Sequence, residues 1–545
     1  EQEAMTADKL EGAKWSFEIA PDPIPEDQIS KTVTHDIVVV GAGMAGVCTA
    51  VSAAQEGADV ILFSASSKAM SRGGSNHAIG SKYQVEKGIE YNPELARKIV
   101  KTEQTSGTYL MDKKKWARWI NNSAESINWT IELMEGKGLH CCLEPGYPDP
   151  DGVIDVPPAS HNFYSDEQPF GALWGAPIEA QTYAQIFTED LGGEIDYNTR
   201  ALYLIRDDDN TGRVSAVVAQ DADGNYIKYE ATKAVVLATG DFSKDRDLMA
   251  RYSPMAYKWF KDAISWDKID YDTELAYDGL MPGDGQKMGL WVGAAWQKTK
   301  MAAPMLFNFQ YVKICNQVRA FQGLLVNKEG KRFSNEDNVL SHAALAALGQ
   351  TDHESFAIWD TEYAKTGPWG EDYYGGPSVA GENGEAMIAA WDDMVEHSGE
   401  PIAMNGASLA MDIYKGDSIE ELAEKMGLPV DEVMATVERY NGYCETGVDE
   451  EFHKMPERLQ PVATPPFYMC RCQPWFLIAT GGLQTNLEMQ VIDTEGQVIP
   501  GLYAVGTIVG DMFANCYSTH FPGHNLGGNC LTFGYVAAEA IAANE

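Results

Sequence analysis

Positive charge is what this sequence has least of. Lys and Arg total 41 against 80 Asp and Glu, a formal net charge of −39 over 545 residues. A field of that sign repels phosphate backbones and anionic lipid, which excludes nucleic acid and acidic membrane surfaces as partners. Long apolar runs are missing too: no stretch reaches the about 18 residues that a transmembrane helix needs, so no membrane span is predicted. The nine cysteines include no Cys-x-x-Cys and no ladder of close spacings. Neither a zinc site nor an iron–sulfur cluster is expected, and no metal is assigned. Internal repeats and low-complexity tracts are absent. Apolar residues, at 44%, and aromatic residues, at 10%, are plentiful, which excludes disorder. At roughly 150 residues per domain the length implies more than one domain.

Residues 1–34 are polar, with Pro21, Pro23 and Pro25, and have neither the charged start nor the apolar core of a signal peptide. They are read as an extended leader or a linker exposed by processing. The expectation is an exported bacterial protein, periplasmic or at the cell surface, whose signal has been removed. A trimmed cytoplasmic chain is the alternative.

The run His35-Asp-Ile-Val-Val-Val40 predicts a parallel strand buried on both faces. Gly41-Ala-Gly43-Met-Ala45-Gly46 follows at once, then a helix of small residues from Val47 to Gln55, then a second strand, Ala58 to Phe63. The chemistry of that order is specific. Gly41 makes the tight turn, Gly43 lets backbone approach a pyrophosphate, and Gly46 lets helix and strand pack closely. The helix N-terminus then faces the anion. The second strand usually ends in an acid for the ribose hydroxyls; here it ends in Ser64-Ala65. With no Arg there, a 2′-phosphate is not expected at this site.

Further glycine-bearing segments follow. Ser71-Arg-Gly73-Gly74-Ser75-Asn76 is a second loop, and Ala234 to Thr239-Gly240 a strand ending in a small turn. Met281-Pro-Gly-Asp284 leads into a helix, and Gly501-Leu-Tyr-Ala-Val-Gly506 is a strand running into glycine before Thr507. Gly523-His-Asn-Leu-Gly-Gly-Asn529-Cys-Leu531 precedes a closing helix. In this order the segments resemble the FAD-dependent flavoproteins of the fumarate reductase/succinate dehydrogenase and 3-ketosteroid dehydrogenase superfamily, from about residue 35 to the end. The resemblance implies noncovalent FAD lying extended, its adenine half near Gly41–Ser64 and its flavin near Gly73–Asn76 and Gly527–Leu531. The implied cofactor-binding set is Gly41, Gly43, Ala45, Gly46, Ser64, Ala65, Gly73, Gly74, Ser75, Asn76, Thr239, Gly240, Asp284, Gly506, Thr507, Asn529 and Leu531. No equivalent is found for the histidine that carries covalent flavin in the membrane-complex members.

The expected fold class is α/β: a Rossmann-like FAD-binding domain with an inserted α+β cap. Residues 1–34 are the leader, 35–297 and 480–545 the two parts of the FAD-binding domain, and 298–479 the cap. The cap is predicted to open with a hairpin turning at Glu329-Gly330 and to contain two helices, one capped by Ser418 and one starting near Pro429–Asp431.

The resemblance also shows what this chain lacks. Fumarate reductases grip two carboxylates with Arg and His. The position of their proton-donating arginine, eight residues after Arg332, is Leu340. The segment of their carboxylate-binding histidine is Trp475-Phe-Leu-Ile-Ala479, and the position of a later arginine is Asn525. A small dicarboxylate would be left with unpaired charge. A larger, flatter and more apolar substrate is expected. Phe521-Pro-Gly523 is similar to the Tyr-Pro-Gly of ketosteroid dehydrogenases, but phenylalanine cannot polarise a ketone. Tyr517, His520, His524 and Arg319 are the groups that could move a proton or polarise a carbonyl. Arg332 is read as structural, and the aromatics Trp359, Trp369, Tyr373 and Tyr374 as packing.

The expected activity is hydride transfer between flavin N5 and a C=C/C–C bond next to a carbonyl, in the direction of reduction. The substrate is a fairly large apolar or aromatic enone or enoate. With neither a haem motif nor a nicotinamide site, a separate electron-donor protein is expected, either a cytochrome or quinol-linked. The alternatives are a 3-ketosteroid-type dehydrogenase and a non-catalytic flavin redox carrier.

Overall fold

The computed structural model describes residues 15–143, 158–167, 175–273, 279–299, 301–309, 323–336, 340–365, 384–400, 412–518, 521 and 523–544. Its largest sheet is built as the β-branched run dictates. Ile37 and Val39 are buried in one apolar core beneath the helix Met44–Gln55, and Val38 and Val40 in another on the opposite face. Burial on alternate sides is what a strand between two layers requires. The strand starts at Ile29 rather than His35. Residues 29–34 therefore belong to the sheet, paired in parallel with the strand Tyr226–Leu237. Further upstream Phe17 is buried beside Phe242 and Leu248, and Trp291 Nε1 donates to its carbonyl at 2.8 Å.

Across this sheet the order is Gln490–Ile492, Val498–Ala504, Tyr226–Leu237, Ile29–Val40, Val60–Phe63 and Glu194–Asp196. The last five are parallel neighbours. Val214–Gln220 and Arg200–Arg206 continue antiparallel from the Tyr226–Leu237 strand. The protein is thus an α/β fold with a Rossmann-like nucleotide unit.

A second, five-stranded sheet is centred on the long strand Phe467–Thr480, which pairs with Ala303–Phe309, Ser355–Asp360 and Ile413–Gly416. Helices Ile419–Lys425 and Val430–Thr446 pack behind it through Leu422, Val433 and Val437. Ser418 caps the first, accepting from the Glu421 N–H at 3.2 Å. The expected hairpin is corrected. The turn forms, with Gly330 N–H donating to Asn327 O at 2.9 Å. But across the turn the backbone pairing among the described residues is the Asn327 N–H to Lys331 O bond at 2.8 Å, and the strand Leu324–Asn327 pairs instead with Ser355–Asp360. The residues after the turn carry Arg332 and Glu336 inward to a buried ion cluster.

A third sheet of three strands holds Ser75–His77 against Ser160–Tyr164 and His140–Leu143. The C-terminal glycine segment precedes the expected closing helix, Phe533–Asn544, and is itself helical beyond expectation: Asn525–Thr532 is a wide π-type helix that runs into it. Close packing explains why glycine is needed there. A Cβ on Gly527 would lie 2.1 Å from the His77 carbonyl oxygen. Among the described residues no helix is long and apolar enough to cross a membrane.

Candidate functional site

The C-terminal ends of the parallel strands open into a cleft of about 660 Å³, counting its mouth. Gly41, Gly43, Ser64, Ala65, Thr239, Gly240 and Asp284 line it. Gly41 has φ +109°, and a Cβ there would meet Ala238 O at 2.6 Å. A Cβ on Gly46 would lie 1.9 Å from Gly41 O. Gly43 is different: its nearest neighbour would be Met70 O at 3.5 Å, so its open side faces the cleft. It also starts the helix Met44–Gln55 with no side-chain cap, which leaves first-turn amides for an anion. Ser64 Oγ lies 2.8 Å from Ser66 Oγ.

Asp284 does not stand free in this cleft. Arg200 Nε and Nη2 donate to its two oxygens at 2.9 and 2.8 Å, and the Tyr271 hydroxyl donates at 3.0 Å. Arg72 also lines the cleft and donates to the carbonyls of Tyr271 and Thr273. Two arginines are therefore present where the sequence motif showed none, both already engaged by protein oxygens.

Toward the other end, Gly527 and Gly523 press against Ser75–His77, which brings the second glycine loop and the C-terminal helix together. The Asn525 Nδ2 donates to Thr507 Oγ1 at 2.9 Å, and Asn529 Nδ2 donates to Asn525 Oδ1 at 3.1 Å. Gly506 has φ +83° and would place a Cβ 2.9 Å from Ala45, while Leu531 is buried and its carbonyl accepts from Cys48 Sγ at 3.4 Å. Asn76 Nδ2 donates to Glu179 Oε2 at 2.6 Å, and burial pushes the Glu179 carboxyl up to about 8. Among the described residues, Asn76 Oδ1, Thr239 Oγ1, Gln286 Oε1 and Asn529 Oδ1 are buried polar atoms with no hydrogen-bond partner. Buried polar atoms call for partners. A dinucleotide with a polar ring system, extended from Gly43 to Asn529, fits this donor and acceptor set.

Of the four groups expected to act on a substrate, two are described. Tyr517 is buried edge-on to Phe513, with ring centres 4.5 Å apart, and its hydroxyl oxygen accepts from the Asn525 N–H at 3.3 Å. His524 is buried, neither ring nitrogen has a hydrogen-bond partner among the described residues, and burial pushes its pKa down to about 3. It is neutral at pH 7, a setting that does not favour proton transfer there. His520 and Arg319 lie outside the described residues. Arg332 sits in the cap, donating to both oxygens of Glu336 and of Asp449 at 2.8–2.9 Å. Trp359 stacks on Tyr468 in the core; Trp369, Tyr373 and Tyr374 lie outside the described residues. Leu340 starts the helix Leu340–Leu348, and Trp475–Ala479 lie on a buried strand.

Sequence reasoning missed Trp116 and Trp119, three apart on the helix Lys113–Gly136, which enclose His524 with Phe513, His77 and Phe521. Their i, i+3 spacing was the available signal. Arg200, Tyr271, Glu179 and Glu103 gave none, because their partners are distant in sequence.

Comparison with known proteins places this geometry. The family described as "FAD binding domain" matches residues 36–531. The vinyl phenol reductase of Lactiplantibacillus plantarum is 28% identical over 523 residues, covering 92% of this chain and 94% of that one. A fumarate reductase (cytochrome) of Shewanella frigidimarina is 27% identical, covering 93% of this chain and 77% of that one. Among solved structures, the 3-ketosteroid-Δ4-(5α)-dehydrogenase of Rhodococcus jostii aligns with a TM-score of 0.67 at 22% identity, covering 95% of this chain and 99% of that one.

Proposed function

Because the chain belongs to the FAD binding domain family, whose relatives are FAD-dependent oxidoreductases acting on C=C and CH–CH bonds, we propose that it reduces a C=C bond conjugated to a carbonyl in a fairly large apolar or aromatic enone or enoate. One observation carries the reading. Around the loop that leads to the glycine-rich helix, Trp116, Trp119, Phe513, Tyr517 and Phe521 form a buried aromatic cluster, and its ring contacts among the described residues involve no Arg or Lys. Such surroundings suit a flat apolar substrate, while a small dicarboxylate would lose its hydration without a paired cation. The vinyl phenol reductase relative, whose name specifies an aromatic alkene, supports the same class.

Bound FAD supplies the hydride chemistry. The chain's own residues hold and orient. Gly43 and the first-turn amides of Met44–Gln55 take the pyrophosphate, and Asn76, Thr239 and Asn529 offer the polar atoms that protein leaves unsatisfied. Tyr517 is the proton-holding group at the substrate side. Its oxygen accepts from the Asn525 N–H, and a tyrosine hydroxyl is a group that can donate a proton to a substrate oxygen or carbon. Arg319 and His520 are proposed as further substrate contacts. Electrons come from a separate donor protein, a cytochrome or quinol-linked one with a basic docking face suited to a net charge of −39. The cytochrome-linked relative supports a donor of that kind. Export from the cell would suit such an arrangement.

A 3-ketosteroid-type dehydrogenase is the second reading, favoured by the fold likeness, while Phe521, which has no hydroxyl to polarise a ketone, counts against it. The test is anaerobic mixing of dithionite-reduced, FAD-loaded protein with aryl enoates, enones and fumarate, beside mixing of oxidised protein with a saturated 3-ketosteroid. Reoxidation by aryl enoates supports the first reading. Bleaching by the steroid alone supports the second.

A further inference from the structure

One loop at the site is held from one side by a single stretch of chain. Lys115 Nζ donates to Gly510 O at 2.6 Å, the Asp112 N–H to Asp511 O at 2.7 Å, and Trp116 Nε1 to Met512 O at 2.8 Å. Asn515 Nδ2 donates to Thr108 Oγ1 at 2.6 Å, and Ser518 Oγ to Glu103 Oε2 at 2.6 Å. All five partners lie within residues 103–116: the end of the helix Pro93–Ser106, the turn after it, and the start of Lys113–Gly136. That turn is itself constrained, with Thr108 and Tyr109 at φ +55° and +66°, a region non-glycine residues enter only at a cost.

Three of these contacts are ordinary, and a fourth comes from the buried Lys115, whose pKa burial pushes down to about 8. Glu103, in the fifth, is not ordinary. It is a carboxyl 1% exposed, in the last turn of a helix that has no basic residue there, so the negative end of the helix opposes a charge on it. Among the described residues its carboxylate has Ser518 as hydrogen-bond partner on Oε2, and Oε1 has none. The charged groups of the surrounding elements are turned to other tasks. Lys115 and Asp112 hold the loop backbone and the helix start, Asp511 accepts from the Lys298 and Thr299 amides, and Lys101 is exposed. His520, two residues past Ser518, lies outside the described residues. Burial pushes the Glu103 carboxyl up to about 7, with the Ser518 bond opposing.

We propose that Glu103 is a positioning residue for the loop 510–518, holding its Tyr517–Ser518 end in place while the carboxyl is protonated and releasing it when the proton is lost. The inference rests on reading that loop as the substrate side of the site. A neutral carboxyl keeps the Ser518 bond without a buried charge. An ionised one has a single hydroxyl to offset its lost hydration and is stabilised only if water reaches it. Because the carboxyl binds its proton more tightly in the held loop than in water, the held arrangement is most favoured below about pH 4.5. It weakens as pH rises toward 7 and levels off above that.

Hydrogen exchange of the FAD-loaded protein, read at the peptide 510–518 and corrected for intrinsic rates, tests this. The Tyr517 N–H, bonded to Pro304 O at 3.2 Å, is a reporter within it. In the wild type, protection of this peptide falls about tenfold between pH 6 and pH 8, the ratio for one proton released near pH 7. Glu103→Gln keeps the Ser518 bond with no charge to gain, so its protection does not fall; the buried Lys115, whose depressed pKa favours the held loop as pH rises, acts in the opposite sense. The central-strand peptide 226–237 does not change in either protein. Wild-type protection that stays flat, or a fall of equal size in Glu103→Gln, overturns the proposal. The readout needs no substrate, so it stands or falls separately from the reductase assignment.

Discussion

The imidazole of His524 lies flat on the indole of Trp116, ring centres 4.1 Å apart and planes within 5°. Trp119 stands beside it at a near-perpendicular angle, ring centres 4.3 Å apart. The histidine is thereby a neutral aromatic plate, and its charged form is excluded. The sign of the pH effect follows. Its pKa is depressed, to about 3, so the stability this setting gives is complete above the unfolded value near 6.5 and is lost as pH falls. Its share of the unfolding free energy drops by about 1.4 kcal/mol per pH unit below 6.5. Urea unfolding of wild type and His524→Leu between pH 7 and pH 4 measures it. The variant loses this acid-sensitive component.

Gly43 and Gly46 separate cofactor binding from folding. Alanine at Gly46 would put its Cβ 1.9 Å from Gly41 O, and overpacking of this kind costs about 1–3 kcal/mol. Gly46→Ala is expected to lower the melting temperature with or without FAD. Gly43→Ala meets nothing closer than 3.5 Å, so the apoprotein keeps its stability. Its methyl enters the cleft, and FAD affinity falls by about tenfold or more. Apoprotein melting curves and FAD titration distinguish the two.

Arg200 and Asp284 form a pair whose purpose is best tested by breaking it. Removing Arg200 leaves the Asp284 carboxylate beside the site of a dianionic pyrophosphate. Arg200→Ala is expected to weaken FAD binding about tenfold, and the added Asp284→Asn to recover most of the loss. A second loss in the double variant, measured by FAD titration, would mean that Asp284 contacts the cofactor directly.

Legibility in the sequence followed the range of the cause. The strand from His35 and the helix to Gln55 were readable because turn, packing and periodicity all act within about 30 residues. The π-type helix Asn525–Thr532 was not, because adjacent glycines oppose helix formation locally. Its cause is tertiary: the His77 carbonyl, which leaves no room for a Cβ on Gly527. The pairing of Leu324–Asn327 with Ser355–Asp360 was hidden for a similar reason. Glu336 and Asp449 draw Arg332 inward, and the second of these is 117 residues away. The same distance effect hid Glu103, whose partner Ser518 is 415 residues away.

That Arg332 cluster carries its own prediction. The guanidinium satisfies two buried carboxylates, and the Asp449 carboxyl is held well below the usual range by its Arg332 bonds although burial opposes this. Arg332→Met leaves Asp449 without its cation and Glu336 with Lys454 as its remaining ion partner, and costs about 3–5 kcal/mol. Chemical unfolding checks the magnitude. The loss is greatest above the ordinary Asp range and shrinks as pH falls, because protonation removes the stranded charge.

The central claim is that this flavoprotein reduces a flat, apolar conjugated C=C bond rather than a dicarboxylate. Stopped-flow reoxidation of the dithionite-reduced, FAD-loaded protein tests it most directly. An aryl enoate is expected to reoxidise the flavin at least about tenfold faster than fumarate at equal concentration, and Tyr517→Phe to slow that step by about 10²-fold or more. Reoxidation by fumarate as fast as by any aryl enoate, or by no enoate or enone faster than by buffer, would contradict the account.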